Sequence, residues 1–278
     1  MKRANDRRLG LALGGGAARS LAHIGVLEVL VAAGIRVSAI AATSAGSIIG
    51  AAFAAGADPK ELEKEAAGLT WKSLARPAFS RRGLLALERL EALIRKIVPV
   101  ARFEDLSIPL KVVTTDLNTG ERVVIDEGEL VSALLASCAI PGVFLPVERD
   151  GRLLVDGGVS CNVPADLPRD MGAEVVLAVD PTKGVLRLGE PLNLLQVISQ
   201  SVYLMSREVT SQYLAGAELV VAPELPGVSW QDLGQASEII ESGRREMRRK
   251  MPELERLMRP SWWRRWRHGL NRWCAERN

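Results

Sequence analysis

Histidine, cysteine and long apolar runs are scarce in this 278-residue chain, and each shortage closes off a class of protein. The three cysteines, Cys138, Cys161 and Cys274, are odd in number, widely spaced and without a CxxC pair. Neither a disulfide framework nor a zinc site is therefore expected, and a reducing compartment is the default. No stretch reaches the roughly 18 apolar residues that a membrane-spanning helix needs. The N-terminus, MKRANDRRLGLALGGG, begins with the charge of a secretory signal, but glycines interrupt its apolar run after about five residues. A signal requires ~7–15, so a cytoplasmic location is the expectation. Charge of one sign is scarce too. The 36 Lys+Arg nearly balance the 33 Asp+Glu, leaving +3, so no global basic field argues for nucleic acid. What remains is an ordinary globular composition, 47% hydrophobic and 25% charged, with ample material for a core.

Short β-rich runs alternate with longer helical stretches, and no internal repeat appears. Strands are predicted at 9–13, 37–42, 110–115, 122–125, 153–155, 174–179 and 219–222. Helices are predicted at 22–33, 45–55, 84–97, 194–214 and 236–251. This alternation implies a three-layer α/β/α sandwich with a mostly parallel central sheet. In such sheets the functional crevice lies beyond the carboxyl ends of the strands. Three strand ends carry chemistry there.

The first is Thr43-Ser44-Ala45-Gly46, where a strand turns into a small-residue helix. A serine on a sharp strand-to-helix turn is pushed out of the backbone, and small residues two positions either side make room for the crossing. Gly46 fits, and Ala42 stands where glycine is usual. The alternative is an ordinary N-cap serine. The second is Gly14-Gly15-Gly16-Ala17-Ala18-Arg19, ahead of a helix, where backbone N–H groups can converge on an anion, either a phosphate or an acyl-transfer oxyanion. A dinucleotide site fits poorly. The G-x-G-x-x-G pattern fails at Arg19, and no acid for a ribose stands near residues 34–38. The third is Asp156-Gly157-Gly158, which reads as an Asp-Gly turn or as a carboxylate presented to the crevice. The two histidines favour the second reading. His23 sits in the apolar stretch Leu21–Val26 and reads as a packing residue, and His268 lies among arginines and tryptophans. If Ser44 is a nucleophile, a carboxylate has to activate it, and Asp156 is the candidate.

Taken together, the chain resembles the patatin-like phospholipase family. The likeness rests on Gly15–Leu27, Ala42–Gly46, Ile108–Gly120 (IPLKVVTTDLNTG), Ser137–Val147 (SCAIPGVFLPV) and Asp156-Gly157-Gly158, and it covers roughly residues 8–250. It implies a Ser44–Asp156 dyad, backbone oxyanion donors at Gly15, Gly16 and Ala17, and Arg19 ordering that loop. It further implies turn glycines at Gly46, Gly157 and Gly158, no metal or cofactor, and acyl esters of phospholipids or lysophospholipids as substrates. Ala17, Ser20 and Ala42 depart from the family's usual glycines. A catalytically weak patatin-like binding or regulatory module is the alternative.

The sequence divides into a hydrolase domain over residues 1–259 and a basic tail over 260–278. The tail carries five Arg and one Glu. On a helical wheel Trp262, Trp263, Trp266, Leu270 and Trp273 share an arc of roughly 100°, with Arg264, Arg265, Arg267, His268 and Arg272 outside it. Such a face suits peripheral contact with the inner face of an anionic membrane, or docking on protein. The stretch Ala75–Ile97 either caps the crevice or forms a plain surface helix, and the plain helix is the expectation.

Overall fold

The computed structural model describes residues 7–78, 83–183 and 194–259. The predicted tail, with Trp262, Trp263, Trp266 and Trp273, lies outside the described residues, as do His268 and Cys274. The elements in chain order are β1 (Leu9–Leu13), α1 (Ala22–Ala32), β2 (Val37–Thr43), α2 (Ala45–Ala54), α3 (Pro59–Ala67), α4 (Trp71–Leu74), β3 (Arg76–Pro77), β4 (Leu85–Ala86) and α5 (Glu88–Ile97). They continue with β5 (Leu110–Asp116), β6 (Arg122–Ile125), α6 (Leu130–Ser137), β7 (Val147–Arg149), β8 (Arg152–Asp156), α7 (Leu167–Asp170), β9 (Val175–Val179), α8 (Leu194–Leu214), β10 (Leu219–Val221) and α9 (Ala236–Met258).

Strands β10, β9, β1, β2 and β5 pair in parallel in that order, while β6, β8 and β7 join antiparallel at the β5 side. The parallel strands are apolar on both faces because helices cover both. On β1, Leu9, Leu11 and Leu13 enter the main core, which α1, α2 and α9 help to build, while Ala12 faces a smaller cluster with Val163 and Ala165. Helices α1 and α9 cross very closely. A methyl on Gly25 would stand 2.1 Å from Ile240 O, and one on Gly243 2.0 Å from Ala22 O.

The register of β5 decides where the site forms. One edge is taken by β6, which pairs with Val112–Thr115. The other edge is shared: β2 runs along Leu110–Val113, and β8 runs toward it along Asp116–Thr114. The two strands meet head-on, Thr43 opposite Val113 and Asp156 opposite Thr114. Thus Asp156 does sit at a strand's carboxyl end, but that strand is antiparallel, and it reaches the crevice only because it stops where β2 stops.

Two predicted elements are corrected. The helix expected over 84–97 begins at Glu88, because Leu85 and Ala86 pair as a strand with Arg76 and Pro77. The helix expected to stop at Met251 runs through Pro252 to Met258, where buried Leu254 and Met258 extend its apolar contacts and outweigh the lost N–H. Among the described residues no helix is long and apolar enough to cross a membrane.

Candidate active site

Ser44 occupies the turn from β2 into α2 with φ 53° and ψ −136°, a region an L-residue enters only under constraint. Small neighbours permit the turn. A methyl on Gly46 would lie 2.5 Å from Gly14 O, and Gly50, one turn later, leaves space beside the methyl of Ala42. A side chain missing from the sequence-based site holds the strained backbone. The Ser44 N–H donates to Ser137 Oγ at 2.7 Å, and that hydroxyl donates to Val113 O at 2.7 Å. Ser44 stands at the N-cap of α2, yet its hydroxyl makes no capping bond. It donates instead to Asp156 Oδ2 at 2.6 Å.

Asp156 is fixed on every side. Its N–H donates to Ala139 O at 3.0 Å, and Thr115 Oγ1 donates to its carbonyl at 3.0 Å. The Gly158 N–H donates to Oδ1 at 2.7 Å. The Asp-Gly turn and the presented carboxylate are therefore one arrangement. Gly157 lets the chain leave here, since a methyl would stand 2.2 Å from Val113 O. Neither Gly157 nor Gly158 has a positive φ, and nor does Gly46. These glycines provide room rather than left-handed backbone. Burial pushes the Asp156 carboxyl up to about 6, a rise that the bonds from Ser44 and Gly158 partly oppose. It is ionised at neutral pH and basic enough to take a proton.

The glycine loop passes directly against the serine, and a methyl on Gly15 would stand 2.9 Å from Ser44 Cβ. Its donors divide into two sets. Gly14 N–H donates to Val179 O (3.0 Å), Gly15 N–H to Asn162 O (3.2 Å), Ala18 N–H to Trp230 O (3.1 Å) and Arg19 N–H to Gly16 O (3.1 Å). Gly16 and Ala17 are partly exposed, and among the described residues their N–H groups have no backbone acceptor. Of the three predicted donors, Gly15 is thus already engaged and the other two face the cleft. Ala17 holds φ 49°, the left-handed value that glycine would take without cost. Arg19 is buried, and its Nε donates to Val228 O at 2.9 Å. Ser20 Oγ donates to Gly14 O at a long 3.4 Å. His23 is fully buried with Nε2 2.7 Å from Gly14 O, and burial lowers its pKa to about 4. The neutral ring that donates to this carbonyl braces the loop from behind, away from the serine hydroxyl. Burial also pushes the Cys138 thiol, beside Ser44, well above its ordinary value.

Two clefts meet at Ser44. One is lined by Gly16, Ala17, Asp156, Asn162, Thr182 and Trp230. The other holds about 900 Å³ of empty space, part of it open to solvent, and is almost wholly apolar. Its walls come from Ile48 and Ile49 of α2, Leu62 and Ala66 of α3, Trp71 of α4 and Leu90, Leu93 and Ile97 of α5. The stretch read as a plain surface helix is therefore a wall of this cleft. Its exposed charges masked the role, which only the apolar spacing Leu90, Leu93, Ile97 hinted at.

Residues 11–169 match the model of a family described as patatin-like phospholipase. An uncharacterised NTE family protein of Mycobacterium bovis is 40% identical over 175 residues, 62% of this chain and 48% of that protein. Patatin-like phospholipase domain-containing protein 6 of Homo sapiens is 34% identical over 180 residues, 62% of this chain and 13% of that one. The chain spans about half the length of the first relative and a smaller part of the second. VipD from Legionella pneumophila shares the fold, with TM-score 0.55 at 12% identity over 90% of this chain and 67% of that one.

Proposed function

This chain belongs to the patatin-like phospholipase family, and from that premise we propose that it hydrolyses the carboxylic ester of a lipid acyl group, with Ser44 as nucleophile and Asp156 as its base. The supporting observation is the 2.6 Å hydrogen bond from Ser44 Oγ to a buried, ionised Asp156 at the mouth of an apolar cleft. Ser44 Oγ attacks the ester carbonyl and passes its proton to Asp156. The oxyanion that forms takes hydrogen bonds from the Gly16 and Ala17 N–H groups. Collapse of that intermediate expels the alkoxide, which takes the proton from Asp156, and leaves Ser44 acylated. Water, deprotonated by Asp156, then attacks the acyl-enzyme, and Asp156 returns that proton to Ser44 Oγ as the fatty acid leaves. One carboxylate thus acts as base and then acid in each half of the reaction, with no histidine between. Each oxyanion donor is worth on the order of 2.7–4 kcal/mol in such a step.

The acyl chain is assigned to the apolar cleft between α2, α3 and α5, and the leaving alcohol to the cleft that carries Asn162 and Thr182. Covalent labelling by a p-nitrophenyl alkylphosphonate, followed by peptide mass spectrometry, should place the adduct on Ser44. Ester turnover should vanish in Ser44→Ala. Equal turnover in both proteins would leave only the binding-module reading. The basic segment 260–278 keeps its sequence-based assignment as a membrane-surface contact. Its deletion should weaken sedimentation with anionic vesicles and spare hydrolysis of a short soluble ester.

A further inference from the structure

Residues 228–231 lie beyond the stretch that matches the family model, yet they hold both walls of the site. The Val228 carbonyl accepts from Arg19 Nε and the Trp230 carbonyl from Ala18 N–H, immediately after the Gly16 and Ala17 donors. The next carbonyl, of Gln231, accepts the indole N–H of Trp71 at 2.7 Å. Trp71 and Trp230 also meet edge to face, centroids 5.5 Å apart at 81°. Trp71 lines the apolar cleft, and Trp230 lines the cleft with Ser44 and Asp156. The segment itself is stiff, because Ser229 N–H donates to Asp232 Oδ2 at 2.6 Å and Asp232 N–H returns to Ser229 O at 3.2 Å.

We propose that Trp71 is a specificity-determining positioning residue, through which an acyl chain seated in the apolar cleft orders the oxyanion loop. The inference rests on the assignment of that cleft to the acyl chain. A long chain packs against the indole and holds it in place. The indole fixes the Gln231 carbonyl and the Trp230 ring, and the same rigid segment carries the two carbonyls that anchor Ala18 and Arg19. Binding contacts remote from the reacting carbon are thus converted into alignment of the donors that meet the oxyanion. Such contacts raise kcat and do more than lower KM. A short acyl group never reaches Trp71 and gains nothing from it.

The test compares p-nitrophenyl acetate with p-nitrophenyl decanoate in the wild-type protein and Trp71→Phe. In the wild type kcat should be clearly higher for the decanoate. Trp71→Phe keeps a ring but removes the indole N–H that the Gln231 carbonyl accepts, and it should lower kcat on the decanoate about tenfold. The decanoate-to-acetate ratio of kcat should fall by nearly the same factor, because the acetate takes the smaller loss. Equal losses on both esters, or a change in KM alone, would overturn the proposal. A wild-type kcat that does not rise with chain length would overturn it even if Trp71→Phe failed to fold. Acetate turnover that disappears in Ser44→Ala keeps the hydrolase reading standing whichever way the tryptophan result falls.

Discussion

The two halves of the central sheet follow different rules. In the parallel half, β10, β9 and β1 are apolar on both faces and sealed by helices, and local preference, burial and pairing agree. Around the shared edge of β5, where the loop that follows β1 also passes, they disagree. Ser44 and Ala17 hold left-handed φ values, a carboxylate is buried, and two N–H groups wait without backbone acceptors among the described residues. Departures of this kind cost of order 1–3 kcal/mol each and persist only where the surroundings enforce them. The first half supplies the stability that lets the second half stay poised for chemistry.

The sharpest way to break this contrast is Asp156→Asn. Initial rates on a short ester should fall a thousandfold or more, since the amide cannot take the serine proton. The same change should stabilise the fold at neutral pH by on the order of 2 kcal/mol, read from denaturant midpoints. The sign follows from the raised pKa. Between about pH 4 and 6 the unfolded chain has released the Asp156 proton while the folded chain still keeps it. Native stability therefore drops as pH rises through that window, and the gain in Asp156→Asn is complete above about pH 6 and absent below about pH 4. His23, kept neutral down to about 4, has the opposite slope in the same window. Removing the aspartate should therefore make acid stability steeper, and parallel curves for the two proteins would contradict the buried-carboxylate account.

A cut in the other half should do the reverse. Leu11→Ala empties a fully buried position on β1 and should cost about 2–5 kcal/mol of stability, with kcat per folded molecule unchanged. Loss of kcat without loss of stability would erase the distinction between the halves. In the wild type, kcat/KM should fall about tenfold per pH unit below about pH 6, as Asp156 gains its proton, and level off above pH 7. A limb set elsewhere would remove Asp156 from the role of base. The smallest effect is expected from Ala17→Gly. Relief of the left-handed alanine, set against the greater freedom of glycine when unfolded, should leave a gain of no more than about 1 kcal/mol. Activity should hold or rise, and a marked loss of stability would mean that the alanine is unstrained.

The parallel half was legible in the sequence because a doubly buried strand writes itself as an unbroken apolar run, and Leu9–Leu13 and Val175–Val179 are such runs. Ser44, Asp156 and the glycine loop were legible as turns rich in small residues. Their convergence was not, because it depends on β8 running antiparallel and stopping at Thr114, a long-range pairing that no local pattern encodes. Ser137 was invisible for a related reason. A serine near a helix end has many uses, and only the folded chain sets it between Ser44 N–H and Val113 O. The apolar cleft was missed because its walls come from five separate helices, α1 to α5, which only the folded chain brings around one space.

The head-on meeting of β2 and β8 makes β5 a ruler for the proposed dyad. The strand ends that carry its two members, Thr43 ahead of Ser44 and Asp156 itself, stand one residue step apart, Val113 to Thr114, or about 3.3 Å of strand. One residue inserted at that step would pull serine and carboxylate out of hydrogen-bonding reach even if each turn kept its shape. The loops at either end of β5 can lengthen freely, because neither lies on the stretch of backbone that measures the gap.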